Sequence, residues 1–243
     1  MRIALISDVH ANQVALEAVL ADAGARGIDA TWSLGDMVGY GPRPNEVLAL
    51  LRDIGARCVL GNHDAAAVGL ITTGMFNPTA AEAAEWTARA LDEGSRAFLS
   101  GLPQVAKAVG VTLVHGTLHE PLWEYLITAE AARHHFDLLE TRVSVVGHTH
   151  VPLVVWCEEG GGLRTVQPAH GDVVELGEAP VAVNPGGVGQ PRDGDPRAAY
   201  AIFEPGANRV QYLRVAYDIE TVQRQILDAG LPGSLAARLA RGQ

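Results

Sequence analysis

The sequence predicts an α/β fold, and three observations lead to this prediction. Five short apolar runs in the first 150 residues each stop abruptly at polar residues. Segments with apolar residues at helical spacing lie between the first three of these runs. Beyond residue 150, short strand-like runs follow one another between Gly, Pro, Asn and Asp, which is typical of antiparallel hairpins. Strand and helix alternation followed by hairpins favours a sheet protein with both parallel and antiparallel strands.

Each of the five apolar runs has the character of a buried strand. Branched apolar residues dominate these runs without regular polar alternation, as in strands covered on both faces. In chain order the runs are IALIS before Asp8, ATWSL before Gly35 and Asp36, RCVL before Gly61 and Asn62, VTLV before His115, and VSVV before Gly147 and His148.

Helices are predicted between the first three strands. Residues after Asn12 are apolar at helical spacing, so Asn12 is expected to cap a helix that Gly27 ends. Pro44 stands at the first turn of a second such segment. The first part of the chain therefore has the order β-α-β-α-β.

The remaining helices fall in an insertion and at the end of the sequence. Residues 77–101 predict a helical insertion between the third and fourth strands, with a longer Ala-rich helix capped near Asn77 and a short second helix. Two final helices are expected from about Ile219 to Ala229 and from about Gly233 to Ala240. The six runs between them and residue 150 predict hairpin strands; they are PLVVW, LRTV, DVVEL, APVAV, AAYAIF and VQYLRV.

Length and composition limit the class of protein. With 243 residues, 48% of them hydrophobic, and no Pro/Ser-rich or charged linker, residues 1–243 are expected to form a single domain. The 18 basic and 28 acidic residues give a net charge of −10, which disfavours nucleic acid as a partner. A small anionic substrate is easier to accommodate when a metal ion neutralises it. The composition does not define the oligomeric state, and a homo-oligomer is possible.

The sequence also bears on location. Cys58 and Cys157 are too few for a disulfide framework and do not form a C-x-x-C pair, so a reducing compartment is expected. The first residues enter a strand-like run at once and lack the pattern of a signal peptide. The sequence contains no run of about 18 apolar residues, which is the length needed to span a bilayer. We therefore expect a cytoplasmic protein without a membrane partner.

Polar side chains collect where the five predicted strands end. In open α/β sheets the crevice at the carboxyl ends of the strands is the usual ligand site. Asp, Asn and His are oxygen and nitrogen ligands that suit Mn²⁺, Fe, Co²⁺, Ni²⁺ or Zn²⁺. The residues at these ends are Asp8, His10, Asp36, Asn62, His63, Asp64, His115, His148 and His150.

Spacing supports a metal site at these strand ends. In D-V-H and H-T-H the paired residues are two apart, which places both side chains on one face of an extended strand. The stretch GNHD at 61–64 would be a turn if it stood alone, because Gly, Asn and Asp supply turn geometry. Five polar strand ends in one chain favour a shared metal site over five separate turns.

The same motifs resemble a known family. DVHAN, GDMVGYGP, GNHD, HG and GHTH, in this order, resemble the calcineurin-like metallophosphoesterase superfamily. FNPTAAEAAEWT, PLWEYL and the segment at 184–203 resemble its small bacterial phosphodiesterase branch. The resemblance implies a four-layer αββα sandwich of two mixed β-sheets flanked by helices. It also implies a metal-dependent phosphoric ester hydrolase.

The resemblance assigns roles to the strand-end residues. It implies a dinuclear centre in which Asp36 bridges the two metal ions. His63 would be the catalytic proton donor, and Asp64 would orient it. The implied ligands are Asp8, His10, Asp36 and His150 for one metal and Asp36, Asn62, His115 and His148 for the other.

The resemblance implies in-line attack of a metal-bridging hydroxide on a small phosphoester, most simply a phosphodiester. Mn²⁺ is the first choice for both metals, with Fe, Zn²⁺, Co²⁺ and Ni²⁺ as alternatives. A protein serine/threonine phosphatase or a dinucleoside polyphosphate hydrolase on the same centre stays open. A non-catalytic scaffold of the same fold is disfavoured, because every implied ligand is present.

Substrate contacts are less defined by the sequence. Arg43 could bind a phosphate oxygen as a planar bidentate donor. His119 is a second candidate, in a stretch where the sequence differs from the commoner family pattern. His134 and His135 lie in a predicted helix without a partner motif, so they are expected to be ordinary surface or packed histidines.

Overall fold

The computed structural model of the protein describes residues 1–243 and contains twelve β-strands and eight α-helices. The strands are β1 Ile3–Ile6, β2 Ala30–Ser33, β3 Arg57–Cys58, β4 Val105–Ala108, β5 Val111–Val114, β6 Val143–Val145, β7 Pro152–Cys157, β8 Leu163–Val166, β9 Val173–Glu175, β10 Val181–Pro185, β11 Ala198–Glu204 and β12 Arg209–Val215. The helices are α1 Gln13–Ala25, α2 Pro44–Asp53, α3 Asn62–Ala67, α4 Pro78–Ala90, α5 Glu93–Ser100, α6 Ala129–Asp137, α7 Ile219–Asp228 and α8 Gly233–Leu239.

The strands form two mixed sheets of six strands each. The first has the order β3-β2-β1-β11-β12-β9, and the second has the order β4-β5-β6-β10-β7-β8. Strands β1, β2 and β3 are parallel to one another, as are β5, β6 and β10. All other neighbours are antiparallel. The mixed two-sheet architecture implied by the resemblance is confirmed.

The two sheets pack against each other through a core of 18 buried residues that both sheets contribute. Ile3 and Leu5 of β1 enter this core from the first sheet, and Val183 of β10 enters it from the second. Trp156 of β7 is fully buried, and its indole N–H donates to the Leu176 carbonyl at 2.8 Å. This core holds the strand ends of both sheets in fixed relation to each other.

The outer face of the first sheet is covered by helices. Ala4 and Ile6 of β1 point away from the inter-sheet core and pack with Leu16 of α1 and Val47 of α2. Strand β1 is therefore buried on both faces, which explains why its sequence shows no polar alternation.

Helix α6 covers part of the second sheet. Ala132 packs with Val155 of β7, and Thr128 caps the helix by accepting from the Ala131 N–H. His135 is fully buried, with one ring nitrogen accepting from the Leu118 N–H at 3.1 Å and the other 2.8 Å from the Ser144 hydroxyl. The expectation of a packed histidine is confirmed for His135.

Four elements differ from the sequence prediction, and two of them are β9 and β10, which form no hairpin because they lie in different sheets, with β10 parallel to β6. The GNHD stretch is the start of helix α3, because Gly61 is extended and the Asp64 carboxylate accepts its N–H, which caps the first turn. Strand β4 pairs antiparallel with β5 although no strand was expected there. Its sequence, VAKA, is half-exposed at the edge of the sheet, so it lacks the apolar signal of a buried strand.

The predicted helical insertion is confirmed as α4 and α5, and the two final helices as α7 and α8. Helices α7 and α8 pack on α4 through a separate apolar cluster, and the Trp86 indole N–H donates to the Ala229 carbonyl at 3.1 Å. The longest α-helices have 13 residues. No helix has both the length and the apolar character that crossing a membrane requires.

Truncation of Leu5 tests the inter-sheet core. Leu5→Ala removes a fully buried side chain between the sheets and should lower the free energy of unfolding by about 2–5 kcal/mol. Leu227→Ala makes the same chemical change at a side chain that is 57% exposed, and it should cost about 0.5 kcal/mol or less. Urea unfolding of both variants measures the difference. Equal losses would contradict the assignment of Leu5 to the core.

Candidate metal centre

All the strand-end residues predicted from the sequence meet at one edge of the molecule. Asp8 and His10 follow β1, Asp36 follows β2, and Asn62 begins α3 just after β3, all in the first sheet. Because β5 and β6 of the second sheet are also parallel, the residues after them come to the same edge. The seven predicted ligands are at most 4% exposed; they are Asp8, His10, Asp36, Asn62, His115, His148 and His150.

The four histidines share one hydrogen-bond arrangement. In each ring, one nitrogen lies beside a backbone carbonyl oxygen, which can only accept, so this nitrogen carries the hydrogen. In the neutral ring the other nitrogen then holds a lone pair, as in histidines that bind metal ions. The pairs are His10 Nδ1 with Val38 O (3.0 Å), His115 Nδ1 with Leu34 O (2.8 Å), His150 Nδ1 with Gln190 O (2.6 Å) and His148 Nε2 with Trp123 O (3.2 Å).

The remaining ring nitrogens of His10 and His150 face each other and a carboxylate. His10 Nε2 lies 3.3 Å from His150 Nε2, and His150 Nε2 lies 3.4 Å from Asp8 Oδ1. Asp8 Oδ1 is buried and has no hydrogen-bond partner. Three lone-pair donors this close fit around one cation with bonds of about 2.0–2.2 Å. These three residues form the first cluster.

A second cluster lies beside the first. His115 Nε2 is 3.0 Å from His148 Nδ1, 3.2 Å from Asn62 Oδ1 and 3.4 Å from Asp36 Oδ2. As in the first cluster, the approaching atoms are imidazole nitrogens and side-chain oxygens. The donor set contains no thiolate, so it suits divalent cations that accept nitrogen and oxygen together.

Asp36 lies between the two clusters. Its Oδ2 is 3.7 Å from His10 Nε2 and 3.4 Å from His115 Nε2. Its Oδ1 accepts from the His63 backbone N–H at 2.9 Å. The carboxylate is therefore within reach of both candidate cation positions.

Burial favours the neutral form of three of the four ligand histidines, and His115 is the exception. Burial lowers the pKa of His148 to about 3 and lowers the pKa of His10 and His150 well below the ordinary histidine value. Burial acts in the same way on His115, but the charge and hydrogen bond of Asp36, the charge of Asp8 and the Leu34 carbonyl together outweigh it and raise the His115 pKa. Burial raises the pKa of Asp36, but His115, His63 and His10 together more than reverse this and hold the Asp36 pKa well below its ordinary value. The carboxylate thus stabilises positive charge at its side, which a divalent cation would supply more strongly than a proton.

The backbone is unusual at most of these residues. Five of the seven predicted ligands have φ between 48° and 66°; they are Asp8, His10, Asp36, His148 and His150. This left-handed conformation costs of order 1–3 kcal/mol at residues other than glycine, and Asp and His tolerate it better than most. The chain adopts it after β1, β2 and β6, so D-V-H and H-T-H are not the extended segments expected from the sequence, and these left-handed turns direct the side chains toward the shared centre.

Close approach explains the glycine that precedes Asn62. A Cβ atom at Gly61 would lie 2.1 Å from Asp36 Oδ1 and 2.2 Å from the Asp36 nitrogen. Only glycine lets α3 begin so close to Asp36, which brings Asn62 and His63 to the centre.

Asp64 hydrogen-bonds to the backbone rather than to the His63 ring. Its two oxygens accept the backbone N–H groups of Val38 and Gly61, both at 3.0 Å. The His63 ring makes no hydrogen bond to it, and His63 Nδ1 has no partner. Asp64 ties the loop after β2 to the start of α3, so any orienting effect of Asp64 on His63 acts through the backbone.

His63 lies at the wall of a cavity of about 280 Å³ that opens over the second cluster. Its ring centroid is 4.4 Å from that of Tyr40, 4.7 Å from that of Phe76 and 5.0 Å from that of His10. Burial among these rings lowers the His63 pKa to about 4. The structure thus places His63 beside the candidate metal centre but not among its clustered donor atoms.

Several residues of the cavity were not among the sequence candidates. Arg192 and the aromatic residues Tyr40, Phe76 and Tyr125 line it. Tyr125 stacks on His148 with ring centroids 3.9 Å apart. The Gly- and Pro-rich setting of Arg192 marks a turn, but nothing in the sequence indicates which strand ends that turn approaches.

Arg43 and His119 do not line this cavity. Arg43 is 46% exposed and pairs with Glu46 at 3.3 Å on the first turn of α2. His119 lies by Glu124 and His134. Their expected substrate contacts stay predictions without support from the geometry.

Comparisons with known proteins agree with this site. Residues 1–208 match the model of the calcineurin-like phosphoesterase superfamily domain. An uncharacterized protein of Methanocaldococcus jannaschii is 38% identical over 249 residues, covering 99% of this chain and 98% of that protein.

Solved structures agree as well. A metallophosphoesterase from Sphaerobacter thermophilus is 48% identical, with a TM-score of 0.90 and coverage of 100% of this chain and 99% of that one. A hypothetical protein from Pyrococcus horikoshii, 18% identical, shares the fold with a TM-score of 0.79 over 100% of this chain and 98% of that one. Buried His and Asp clusters at the strand ends, together with these matches, show that the chain belongs to the calcineurin-like phosphoesterase superfamily and is a phosphoester hydrolase.

Proposed function

We propose that this protein is a dinuclear-metal phosphodiesterase for small phosphoesters. The observation that carries the proposal is the convergence of buried lone-pair donors in two adjoining clusters with Asp36 between them. Asp8, His10, Asp36 and His150 would hold one cation, and Asp36, Asn62, His115 and His148 the other. Three of the seven ligands offer oxygen, which favours Mn²⁺ among the divalent ions that accept imidazole.

The metal pair would acidify a water molecule and neutralise charge on the phosphate. His63 stands at the cavity wall, with a ring that makes no hydrogen bond through Nδ1. We assign the ring N–H of His63 a hydrogen bond to the leaving oxygen of the ester, which stabilises the negative charge that develops there as the P–O bond breaks. Asp64 is a positioning residue, because it fixes the backbone on both sides of His63 through Val38 and Gly61.

Arg192 is the one Lys or Arg that lines the cavity. Its guanidinium is held by Gln190 Oε1, at 2.9 Å from Nη2 and 3.3 Å from Nε, and lies 5.9 Å from the Tyr40 ring centroid. A guanidinium fixed in this way is a ready partner for a phosphate oxygen. We propose that Arg192 binds the substrate phosphate.

Charge and size favour a small diester. A diester carries one negative charge on its phosphate, whereas a monoester carries up to two, and the cavity offers a single guanidinium besides the metal sites. The walls include Met75, Phe76, Trp123 and Tyr125, which suit apolar or aromatic ester groups. The net charge of −10 opposes a long nucleic acid. Two free cysteines and the composition support a cytoplasmic location.

Substrate profiling tests the proposed function. The Mn²⁺-loaded protein should hydrolyse bis-p-nitrophenyl phosphate faster than p-nitrophenyl phosphate. Cyclic nucleotides and dinucleoside polyphosphates are assayed alongside as natural candidate substrates. Chelation should abolish hydrolysis, and Mn²⁺ should restore it. Full activity of the metal-free protein would contradict the mechanism, and a preference for a phosphoserine peptide would favour a protein phosphatase.

Exchanging His63 should separate chemistry from metal binding. His63→Asn should leave metal content intact and lower kcat on alkyl phosphodiesters by about 10²–10⁴-fold. The loss should be smaller on p-nitrophenyl esters, because p-nitrophenolate is a stable leaving group. Asn62→Ala is the matched neighbour, and it should lower the bound metal measured by atomic spectroscopy. If His63→Asn loses metal as Asn62→Ala does, His63 belongs to the coordination shell.

Arg192 variants should change substrate affinity. Arg192→Gln should raise KM by about tenfold or more with metal content unchanged, because one charge-assisted contact to the phosphate is lost. Arg192→Lys should fall between the wild type and Arg192→Gln, since it keeps the charge but not the planar fork. Arg43→Gln is the control outside the cavity and should leave KM unchanged. An effect at Arg43 and none at Arg192 would reverse the assignment.

A further inference from the structure

A third group of metal-ligand residues lies outside the cavity. His119 and Glu124 belong to the loop between β5 and α6, and His134 lies on α6. One ligand atom from each of the three residues lies within 4.8 Å of the others. We call these three residues the outer cluster.

The distances within the outer cluster are too long for hydrogen bonds and suit a shared cation. Glu124 Oε1 lies 3.6 Å from His119 Nδ1 and 3.7 Å from His134 Nδ1. Two ligands bonded at about 2.0–2.2 Å to one ion in tetrahedral or trigonal geometry are separated by roughly 3.3–3.7 Å. The two imidazole rings stand beside each other, with centroids 4.6 Å apart.

The surroundings of the outer cluster hold its ligand atoms in place. The hydroxyl of Thr117, which is fully buried, donates to Glu124 Oε2, so Oε1 is left to face both histidines. His134 Nδ1 is shielded from solvent and has no hydrogen-bond partner. The side chains of His119 and His134 are 49% and 39% exposed, which leaves a path for an ion to enter.

We propose that His119, Glu124 and His134 bind a divalent transition-metal ion such as Zn²⁺, with water completing the coordination. Two imidazoles and one carboxylate suit Zn²⁺, Co²⁺ or Ni²⁺, whereas Mg²⁺ and Ca²⁺ prefer oxygen ligands alone. Thr117 supplies the outer hydrogen bond that orients the carboxylate. The site is distinct from the dinuclear centre, with which it shares no ligand.

An ion at the outer cluster would restrain one wall of the cavity. It would join the loop that contains His119 and Glu124 to helix α6. The same loop presents the Trp123 carbonyl, 3.2 Å from His148 Nε2, and the Tyr125 ring, which stacks on His148. The outer ion would therefore fix the residues that hold His148 in its orientation.

Metal counting on the full-length protein tests the proposal. The wild type and the His119→Gln/His134→Gln double variant are equilibrated with Zn²⁺ alone, and the zinc bound per chain is measured by atomic spectroscopy. The double variant should bind one zinc ion fewer than the wild type. Arg133→Gln changes an exposed neighbour on the same helix and should bind as many zinc ions as the wild type. Equal zinc content in the wild type and the double variant overturns the proposal.

A second measurement tests the proposal with single variants, in case the double variant folds poorly. Glu124→Gln keeps the size of the side chain and an oxygen for Thr117 but weakens the third ligand. Added Zn²⁺ should raise the thermal unfolding midpoint of the Mn²⁺-loaded wild type and of Arg133→Gln, and raise it less in Glu124→Gln and in His119→Gln. The same zinc-dependent rise in all four proteins would show that the outer cluster binds no ion.

Discussion

The arrangement of the site depends on the carboxylate of Asp36, which is buried between two groups of imidazole rings. One of its oxygens faces His10 on one side and His115 on the other. Its other oxygen accepts the backbone N–H of His63 and thereby anchors the first turn of α3. Removing this carboxylate would leave the rings without their shared negative charge and α3 without its contact to the loop after β2. The position of His63 thus follows from the same group that joins the two clusters.

Such a centre carries an energetic cost that the fold has to offset. Left-handed backbone at five of the seven predicted ligands costs of order 1–3 kcal/mol at each, and burial of polar groups without partners adds to it. The offset comes from the apolar core between the sheets and from the helices outside, since each buried large apolar side chain contributes about 1.5–3 kcal/mol. Bound cations would stabilise the folded protein further by coordinating the lone pairs of the clustered His, Asp and Asn side chains.

Sequence reasoning located the strand ends well, because branched apolar runs next to Asp, Asn and His are strong local signals. The five strands before the ligands, the insertion helices and the final helices are confirmed. Strand β4 was missed, because an edge strand such as VAKA has no apolar run. The route by which Asp64 acts on His63 could not be predicted, because a capping carboxylate at N3 of a helix binds backbone N–H groups and the sequence did not show that GNHD begins a helix. Arg192 and the proximity of His134 to His119 depend on tertiary contacts between segments far apart in the chain, which a single sequence does not reveal.

The packing of α7 and α8 on α4 has a consequence for how this protein can change over evolutionary time. The predicted metal ligands all come from the ends of sheet strands or the residues just after them, whereas Met75, Phe76, Asn77 and Ala80 of the cavity wall come from the segment between β3 and β4, part of which packs on α7 and α8. The predicted metal ligands and this part of the cavity wall are therefore encoded in different stretches of the gene. Insertions, deletions and drift between β3 and β4 could reshape the space available to an ester without moving a ligand. A lineage with this layout can acquire new substrates while its reaction stays the same.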